Sequence, residues 1–394
     1  MHIPLTKPEQ RIDHSLIPLY DELKAFRSRR QFEQSALYGE HGTEINRAVN
    51  GIEWRNCRDE QPKKTLRVVA WNIERGIRLP GIIHYLKTDP VLTETDIGMG
   101  RSGNQNVPLE IANSLDLNYC YANSFLVLAK GDLGEQEHRL ENTLSLHGTT
   151  ILSRYRIESY RTVELPTKVD FFTSSEKRIG RRRALICKIR IGDREYDFTA
   201  MHLELATPLK GRGAQVDAVL RALAESQADS QLIGGDLNTS TYNLSSKWGL
   251  ARNLIYKALF VGFSGAIAHY MVPDQLFEKP IFEQFRNHGF DYNSFNDKSA
   301  GTLYYDINDP ILTAKVRNFI SEIGIRFLRK KLEPWDGRVP LRLDWFAGKG
   351  FEAVREQNGV YAAPQVVEGT MWDNRPISDH DPIVVDLWVN KDAS

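Results

Sequence analysis

Cysteine is nearly absent: Cys57, Cys120 and Cys187 are the only three in 394 residues, and no two form a C-x-x-C pair. So few, so widely spaced and odd in number, they exclude a disulfide framework and fit a reducing compartment. An excess of charge of one sign is missing too, since 51 Lys and Arg face 51 Asp and Glu. Dedicated nucleic-acid binders gain affinity by neutralising phosphates and carry a basic surplus, which this chain lacks. Long apolar runs are also wanting. The longest charge-free apolar stretch, Ala258 to Pro273, spans sixteen residues and contains Gly262, Ser264, Gly265 and His269. It falls short of the roughly 20 apolar residues of a membrane span. Met1 to Asp13 is polar, includes Pro4 and Pro8, and has no apolar signal-peptide core. These absences predict a cytoplasmic chain with no transmembrane segment.

What is there is ordinary globular composition, 41% hydrophobic and 26% charged, which excludes a disordered chain. In residues 1–62, Ile12, Leu16, Leu19, Leu23 and Phe26 recur at helical spacing. They predict an N-terminal helical extension, followed by the polar linker Arg58 to Lys64. From Leu66 the texture changes to short β-rich runs, among them Leu66 to Trp71, Asn118 to Leu126, Ala184 to Ile191, Gln231 to Ile233, Leu341 to Ala347 and Pro382 to Trp388. Amphipathic helices fall between some of them, as at Leu79 to Leu86 and Gly213 to Glu225. The mixture predicts a layered α/β domain over 63–390. Strand texture gives way over 240–340 to helix candidates, Ala251 to Met271 and Ile311 to Leu332, and then resumes. This predicts a helical insertion rather than a separate domain.

One motif is a decoy. Gly98-Met-Gly-Arg-Ser-Gly103 fits G-x-G-x-x-G, but a dinucleotide site needs an uninterrupted apolar strand before it and a helix opening on it. Glu94 and Asp96 break the strand, and Asn104-Gln-Asn106 stands where the helix should begin. More telling are acids and amides where strands run out: Asn72 and Glu74, Glu94, Asp236 and Asn238, and Ser378-Asp-His380, with Asp344 inside an apolar run. Each alone suits a turn former, a cap or a core ion pair. Together they supply the oxygen donors of a hard divalent cation and an acid or base beside it, as phosphoester chemistry requires. No His/Cys spacing of a zinc site occurs. His202 ends another strand candidate, and Arg212 and Gln215 follow on a predicted helix. The run Lys177 to Arg183 has five basic residues in seven, which reads equally as a solvated turn or as a rim attracting anions. Arg212, Arg181 from that run, and Arg101 are the candidate substrate-binding cations.

The ordered set resembles the endonuclease/exonuclease/phosphatase superfamily, from about Arg67 to Leu387. The matching segments are Trp71-Asn72, Thr93-Glu94, His147-Gly-Thr-Thr-Ile-Leu-Ser-Arg154, His202-Leu203, Gly235-Asp-Leu-Asn238, Arg342-Leu-Asp344 and Ser378-Asp-His380. Thr149 stands where the family usually has asparagine. The resemblance implies a four-layer α/β/β/α sandwich of the DNase I-like kind, with the site where strand ends converge. It implies Mg²⁺ or Mn²⁺ held by Glu94 and Asn72 with Asp379. It further implies His380 as acid/base oriented by Asp344, Asp236 and Asn238 positioning water and the scissile phosphate, and His202 donating to a phosphoryl oxygen. The expected activity is metal-dependent hydrolysis of a phosphoester, as a phosphodiesterase or phosphatase. The alternatives are a DNA or RNA nuclease of the same fold and, in another class, a non-catalytic binding protein on this scaffold. For partners, nucleic acid and a peripheral membrane contact through Ala258 to Val272 stay open.

Overall fold

The computed structural model describes all residues except 87–88, 132–138, 168, 175, 241–251, 253–255, 309–320, 358–359, 362–363 and 390–394. Strand Thr65–Arg75 shows why the layers form. Leu66, Val68 and Ala70 point into one apolar core, whereas Val69, Trp71 and Ile73 point into another. Successive side chains of a strand face opposite ways, so a strand buried on both faces reads as a continuous apolar run. Strand Arg183–Ile191 repeats the pattern: Leu185, Cys187, Ile189 and Ile191 share the first of these cores, and Ala184 and Ile186 enter a third.

Two sheets therefore stack face to face, each covered by helices. The larger runs Glu352–Ala353, Ile383–Trp388, Thr65–Arg75, Asp89–Ile97, Leu146–Ser153, Asn118–Val127, Ile52–Arg55, Glu9–Gln10 along its path. The second runs Ile3–Pro4, Ile157–Glu164, Arg183–Ile191, Arg194–Ala200, Ser230–Asp236, Asp344–Lys349. On the outer face of the larger sheet, Ile45, Ile82 and Ile111 come from helices Ala36–Val49, Leu79–Tyr85 and Val107–Leu115. On the outer face of the second, helix Leu209–Ala224 contributes Val216 and Leu220, and helix Lys279–Asn287 contributes Ile281, Phe282 and Phe285. The order is α/β/β/α, the layering that the motifs implied.

The N-terminal residues depart from the expected extension and linker. They do form helices at Tyr20–Ala25, Arg29–Glu33 and Ala36–Val49, but they also supply edge strands to both sheets. Ile52–Arg55 pairs with the strand carrying Tyr119 to Ala122. The acid in this strand is satisfied rather than exposed: Glu53 is buried and accepts from Arg11 and the Tyr119 hydroxyl at 2.9 and 2.7 Å. Residues 1–62 are thus integral to the sandwich.

The insertion between Asp236 and Asp344 joins two strands that are adjacent and antiparallel. It contains helices Phe263–Met271, Lys279–Asn287 and Glu322–Leu332, and hairpin Leu303–Asp306/Arg338–Leu341. A small core of Ile267, Tyr270, Ile307, Ile325, Leu332 and Val339 holds most of it together. In the apolar stretch proposed as a membrane contact, Ala266, Ile267 and Tyr270 are buried, whereas Gly262, Ser264, Ala268 and Phe260, the last at 76%, are exposed. Of the predicted helix Ile311 to Leu332, only the part from residue 321 lies within the described residues. No helix among the described residues is long and apolar enough to cross a membrane.

Candidate active site

Register builds the centre of the site. Strands Ser230–Asp236 and Asp344–Lys349 place Asp236 and Asp344 directly opposite each other. Like charges so placed repel, and both residues are buried. A third side chain resolves the conflict. His380, just before strand Ile383–Trp388, sets its Nδ1 2.7 Å from Asp344 Oδ2 and its Nε2 3.9 Å from Asp236 Oδ2. The backbone fixes that position: the Trp71 indole donates to the His380 carbonyl at 2.7 Å, and the His380 amide donates to Ser378 Oγ at 3.2 Å. Thr302 Oγ1 accepts from the amides of Leu343 and Asp344 at 2.9 and 3.1 Å.

The electrostatics follow from this packing. Burial disfavours the charged imidazole of His380, but Asp344 and Asp236 outweigh it and hold the pKa well above the usual histidine range. Burial pushes the Asp236 carboxyl up to about 7, an effect that His380 opposes and Asp344 reinforces. His202 lies on the other side, with Nε2 3.4 Å from Asp236 Oδ2 and Nδ1 3.8 Å from Glu94 Oε1. Burial, aided by Arg182, keeps this imidazole well below its ordinary pKa and therefore neutral. Burial also opposes charge on Glu94, yet Arg75 and other neighbours outweigh it and keep the carboxylate ionised.

Several residues here sit on strained backbone. Glu74, Arg75, Glu94 and Asn238 all adopt positive φ, at 45°, 67°, 55° and 49°. L-residues pay for that conformation, and such outliers cluster at functional sites. The strand pairing shifts register between Asn72 and Arg75 and between Leu92 and Thr95, so bulges redirect these side chains. Gly235 marks a close approach: a Cβ there would lie 2.1 Å from the Met201 carbonyl, next to His202.

The structure brings together most of the candidates. Asn72 Nδ2 donates to Asp236 Oδ2 at 3.3 Å, and Ser378 Oγ, 3.4 Å from Asp379 Oδ1, donates to the Asn72 carbonyl at 2.7 Å. The Asn238 amide donates to Asp236 Oδ1 at 2.8 Å, and its side chain donates to the Leu203 carbonyl at 2.8 Å. Glu74 lies beside Asp379: burial and that neighbour push its carboxyl up to about 7, and Arg78 pairs with it at 2.9 Å. Asp236, Asp344 and His380 offer ligand atoms within 4.8 Å of one another. His380 Nδ1 is engaged by Asp344, and Asp344 and Asp236 both favour a charged imidazole, so this trio has the chemistry of an acid/base group as well as of a ligand set. The oxygen donors of Glu94, Asn72 and Asp379 suit a hard cation better.

The three candidate phosphate-binding arginines have other engagements. Arg212 is fully buried and forms a double contact with Glu278, at 3.2 and 2.5 Å. It belongs to the packing of helix Leu209–Ala224 rather than to the site. Arg101 is buried, bound to Asp96 at 2.7 Å and Glu176 at 2.7 Å. Arg181 pairs with Glu164 at 3.1 Å on the surface. Among the described residues, Arg75 is charged against Glu94, and Arg182, which pairs with Glu204 at 3.1 Å, lines a narrow cleft with Glu94, His147, Thr149 and His202. Sequence reasoning passed over both, although Arg75 directly follows Glu74 and Arg182 lies within the basic run. The GxGxxG segment is a short 3₁₀ turn, not a helix-opening loop.

No protein-family profile matches the chain, and no curated protein does. Among solved structures, it is similar to an endonuclease/exonuclease/phosphatase family protein from Leptotrichia buccalis, at 13% identity and TM-score 0.41, covering 81% of this chain and 98% of that one. It is also similar to the human Nocturnin catalytic domain, at 12% identity and TM-score 0.44, covering 86% and 97%. Zebrafish (D. rerio) TDP2 complexed with a single-strand DNA product gives 12% identity and TM-score 0.42, covering 82% and 99%. The two helix-covered sheets of this chain, with polar strand ends gathered around His380, make a four-layer α/β/β/α sandwich.

Proposed function

We propose that this chain is a metal-dependent hydrolase of phosphoester bonds, acting as a phosphodiesterase or phosphatase through in-line attack of water. The observation that carries the reading is His380 held between Asp344 and Asp236, a histidine kept charged among buried carboxylates. Paired titratable groups whose surroundings drive their pKa values apart mark acid/base assignments. Asp236, raised to about 7, can accept a proton from water near neutral pH. His380, as an imidazolium, stabilises the charge that builds on the phosphoryl group and can protonate the leaving oxygen. Asp344 fixes the imidazole orientation through Nδ1. Neutral His202 donates to a phosphoryl oxygen, and Asn238, anchored on Leu203, helps to orient the phosphate.

Glu94, Asn72 and Asp379 form the donor set that would hold Mg²⁺ or Mn²⁺. Its chemistry fits: Glu94 is kept ionised by surrounding cations, and carboxylate and amide oxygens suit a hard ion. When bound, such an ion polarises a phosphoryl oxygen.

The test uses purified protein with and without Mg²⁺ or Mn²⁺ on bis-(p-nitrophenyl) phosphate, p-nitrophenyl phosphate, plasmid DNA and sphingomyelin, alongside His380→Ala. Metal-dependent turnover that collapses in the variant is expected. Turnover of none of these, or activity unchanged in His380→Ala, overturns the assignment. Plasmid cleavage without small-substrate turnover would favour the nuclease alternative.

A further inference from the structure

Helix Glu322–Leu332 has an inner and an outer face that do not match the usual surface helix. Ile325 and Leu332 are buried in the insertion's small core. On the outside, Ile323 is 73% and Phe327 57% exposed. They stand four residues apart and hence on one face of the helix. Around them, Arg326, Arg329, Lys330 and Lys331 are all exposed, and the Lys331 ammonium lies 5.7 Å from the Phe327 ring. Glu322 is the helix's single acid. Isolated exposed apolar residues are unremarkable, but the same insertion also exposes Tyr256 and Phe260, at 49% and 76%, with rings 5.3 Å apart. Two such exposed apolar pairs in one insertion suit a contact surface.

We propose that this helix docks the chain on an anionic lipid surface. Ile323 and Phe327 enter the boundary between headgroups and acyl chains, and the four cations meet lipid phosphates. The combination selects the partner. Nucleic acid would reward the cations but leave Ile323 and Phe327 against a polar backbone. A neutral apolar partner would reward those two and leave the cations without counter-charges. An anionic bilayer satisfies both, because amphipathic helices bind by buried apolar area plus attraction to anionic lipid.

The placement gives this contact a purpose. Hairpin Leu303–Asp306/Arg338–Leu341 belongs to the same small core, and Leu303 bridges directly to His380. The Asp381 amide donates to the Thr302 carbonyl at 2.7 Å, and the hairpin leads through Arg342 to Asp344. The docking module is therefore built onto the strand ends that carry the reactive groups, and it directs the site toward lipid-linked phosphoesters. That assignment of substrate class rests on the hydrolase reading, whereas the docking itself does not.

Vesicle flotation tests the docking without any turnover. Full-length protein is mixed with vesicles of phosphatidylcholine alone or with 30 mol% phosphatidylglycerol, at low and at 0.5 M salt. Wild-type protein is expected to float with the anionic vesicles and to be released by salt. Phe327→Ser is expected to weaken partitioning by about tenfold, and Lys330→Glu with Lys331→Glu by more. Melting curves and bis-(p-nitrophenyl) phosphate turnover equal to wild type would show that these variants are folded. Failure of wild type to float, equal binding to both vesicle types, or flotation unchanged in Phe327→Ser overturns the proposal. So does duplex DNA binding lost in the charge variant with no effect of Phe327→Ser, or a self-association that Phe327→Ser abolishes. If flotation succeeds while every phosphoester resists hydrolysis, the docking stands and the hydrolase reading falls.

Discussion

Two histidine–carboxylate pairs lie in this molecule at nearly the same contact distance, and they are in opposite states. His380 Nδ1 is 2.7 Å from Asp344 and His147 Nδ1 is 2.8 Å from Asp96. All four side chains are buried. Yet His380 is held well above the usual histidine range, whereas His147 is pushed down to about 4. Burial disfavours the charge in both, so the difference comes from what else surrounds each pair. His380 sees a second carboxylate, Asp236. The carboxylate beside His147 is already engaged by Arg101, at 2.7 and 3.1 Å, and Arg178 and Arg101 repel a further positive charge. A short contact does not set a protonation state; the surplus of neighbouring charge does. On the proposed reading the first pair serves proton transfer, whereas the second ties the strand that carries Glu94 to its neighbour Leu146–Ser153.

The largest expected effect separates those roles. His380→Ala or Asp344→Asn should lower kcat by about 10²–10⁴-fold, the usual range for losing a positioned acid/base group. His147→Ala should act mainly on stability, with a much smaller fall in kcat. Turnover of bis-(p-nitrophenyl) phosphate and urea unfolding of all three variants would check this. A kcat loss as large for His147→Ala would erase the distinction.

Next in size is removal of one of the two cations that set the pairs apart. Arg101→Met leaves Asp96 and Glu176 buried without it, and breaking a buried ion pair from one side typically costs about 3–5 kcal/mol. In the variant, Asp96 is free to favour a charged His147, so the imidazole pKa should rise toward the behaviour of His380. Denaturant midpoints and histidine NMR titration would measure both effects. Arg212→Met should lose similar stability through Glu278, with KM unchanged if the protein is assayed folded.

A smaller effect concerns pH. The His147 pKa is depressed in the folded state, to about 4, against an ordinary value of 6.5. The unfolded chain therefore binds the extra proton between those values. The stability contributed by a neutral His147 is complete above pH 6.5 and declines as pH falls toward 4. Between pH 7 and pH 5 this single site should cost on the order of 2 kcal/mol. Glu74 and Asp236, both raised to about 7, run in the opposite direction. The measurement is accordingly the difference between wild type and His147→Gln, with wild type losing more on acidification.

The contrast between the pairs also explains what could be read from the chain. Asp236 and Asn238, Asp344, and Ser378 to His380 were legible because each interrupts or ends an apolar strand run, and strands carry their ends to a common edge. Arg212 and Arg101 were misread because a basic residue in sequence shows its charge but not its partner. Glu278 lies 66 residues from Arg212, and Glu176 lies 75 from Arg101. Strand Ile52–Arg55 was hidden for a related reason: Glu53 looks solvent-facing until Arg11 and Tyr119 close over it. His147 stood inside a recognised motif, but only the fold shows that its carboxylate is already taken.

Arg181 gives the smallest effect and the finest test of the same rule. It belongs to the basic run that looked like a rim for anionic substrate. Its backbone amide is committed to the Ser124 carbonyl at 3.0 Å, and its side chain reaches Glu164 at 3.1 Å with 44% and 49% exposure. An exposed pair of this kind contributes about 0–1 kcal/mol, because water screens it and two long side chains must be ordered. Next to it, Arg182 lines the cleft with Glu94 and His202, is only 13% exposed and pairs with buried Glu204 at 3.1 Å. Arg181→Ala should therefore shift stability by no more than about 0.5 kcal/mol and leave KM within roughly threefold. Arg182→Ala should change kcat/KM by clearly more, since its charge acts on groups shielded from solvent. Steady-state kinetics on the two neighbouring variants would decide it. Equal effects would mean that the run works as a diffuse basic rim, whereas a large gap would mean that burial beside Glu94 selects one arginine from it.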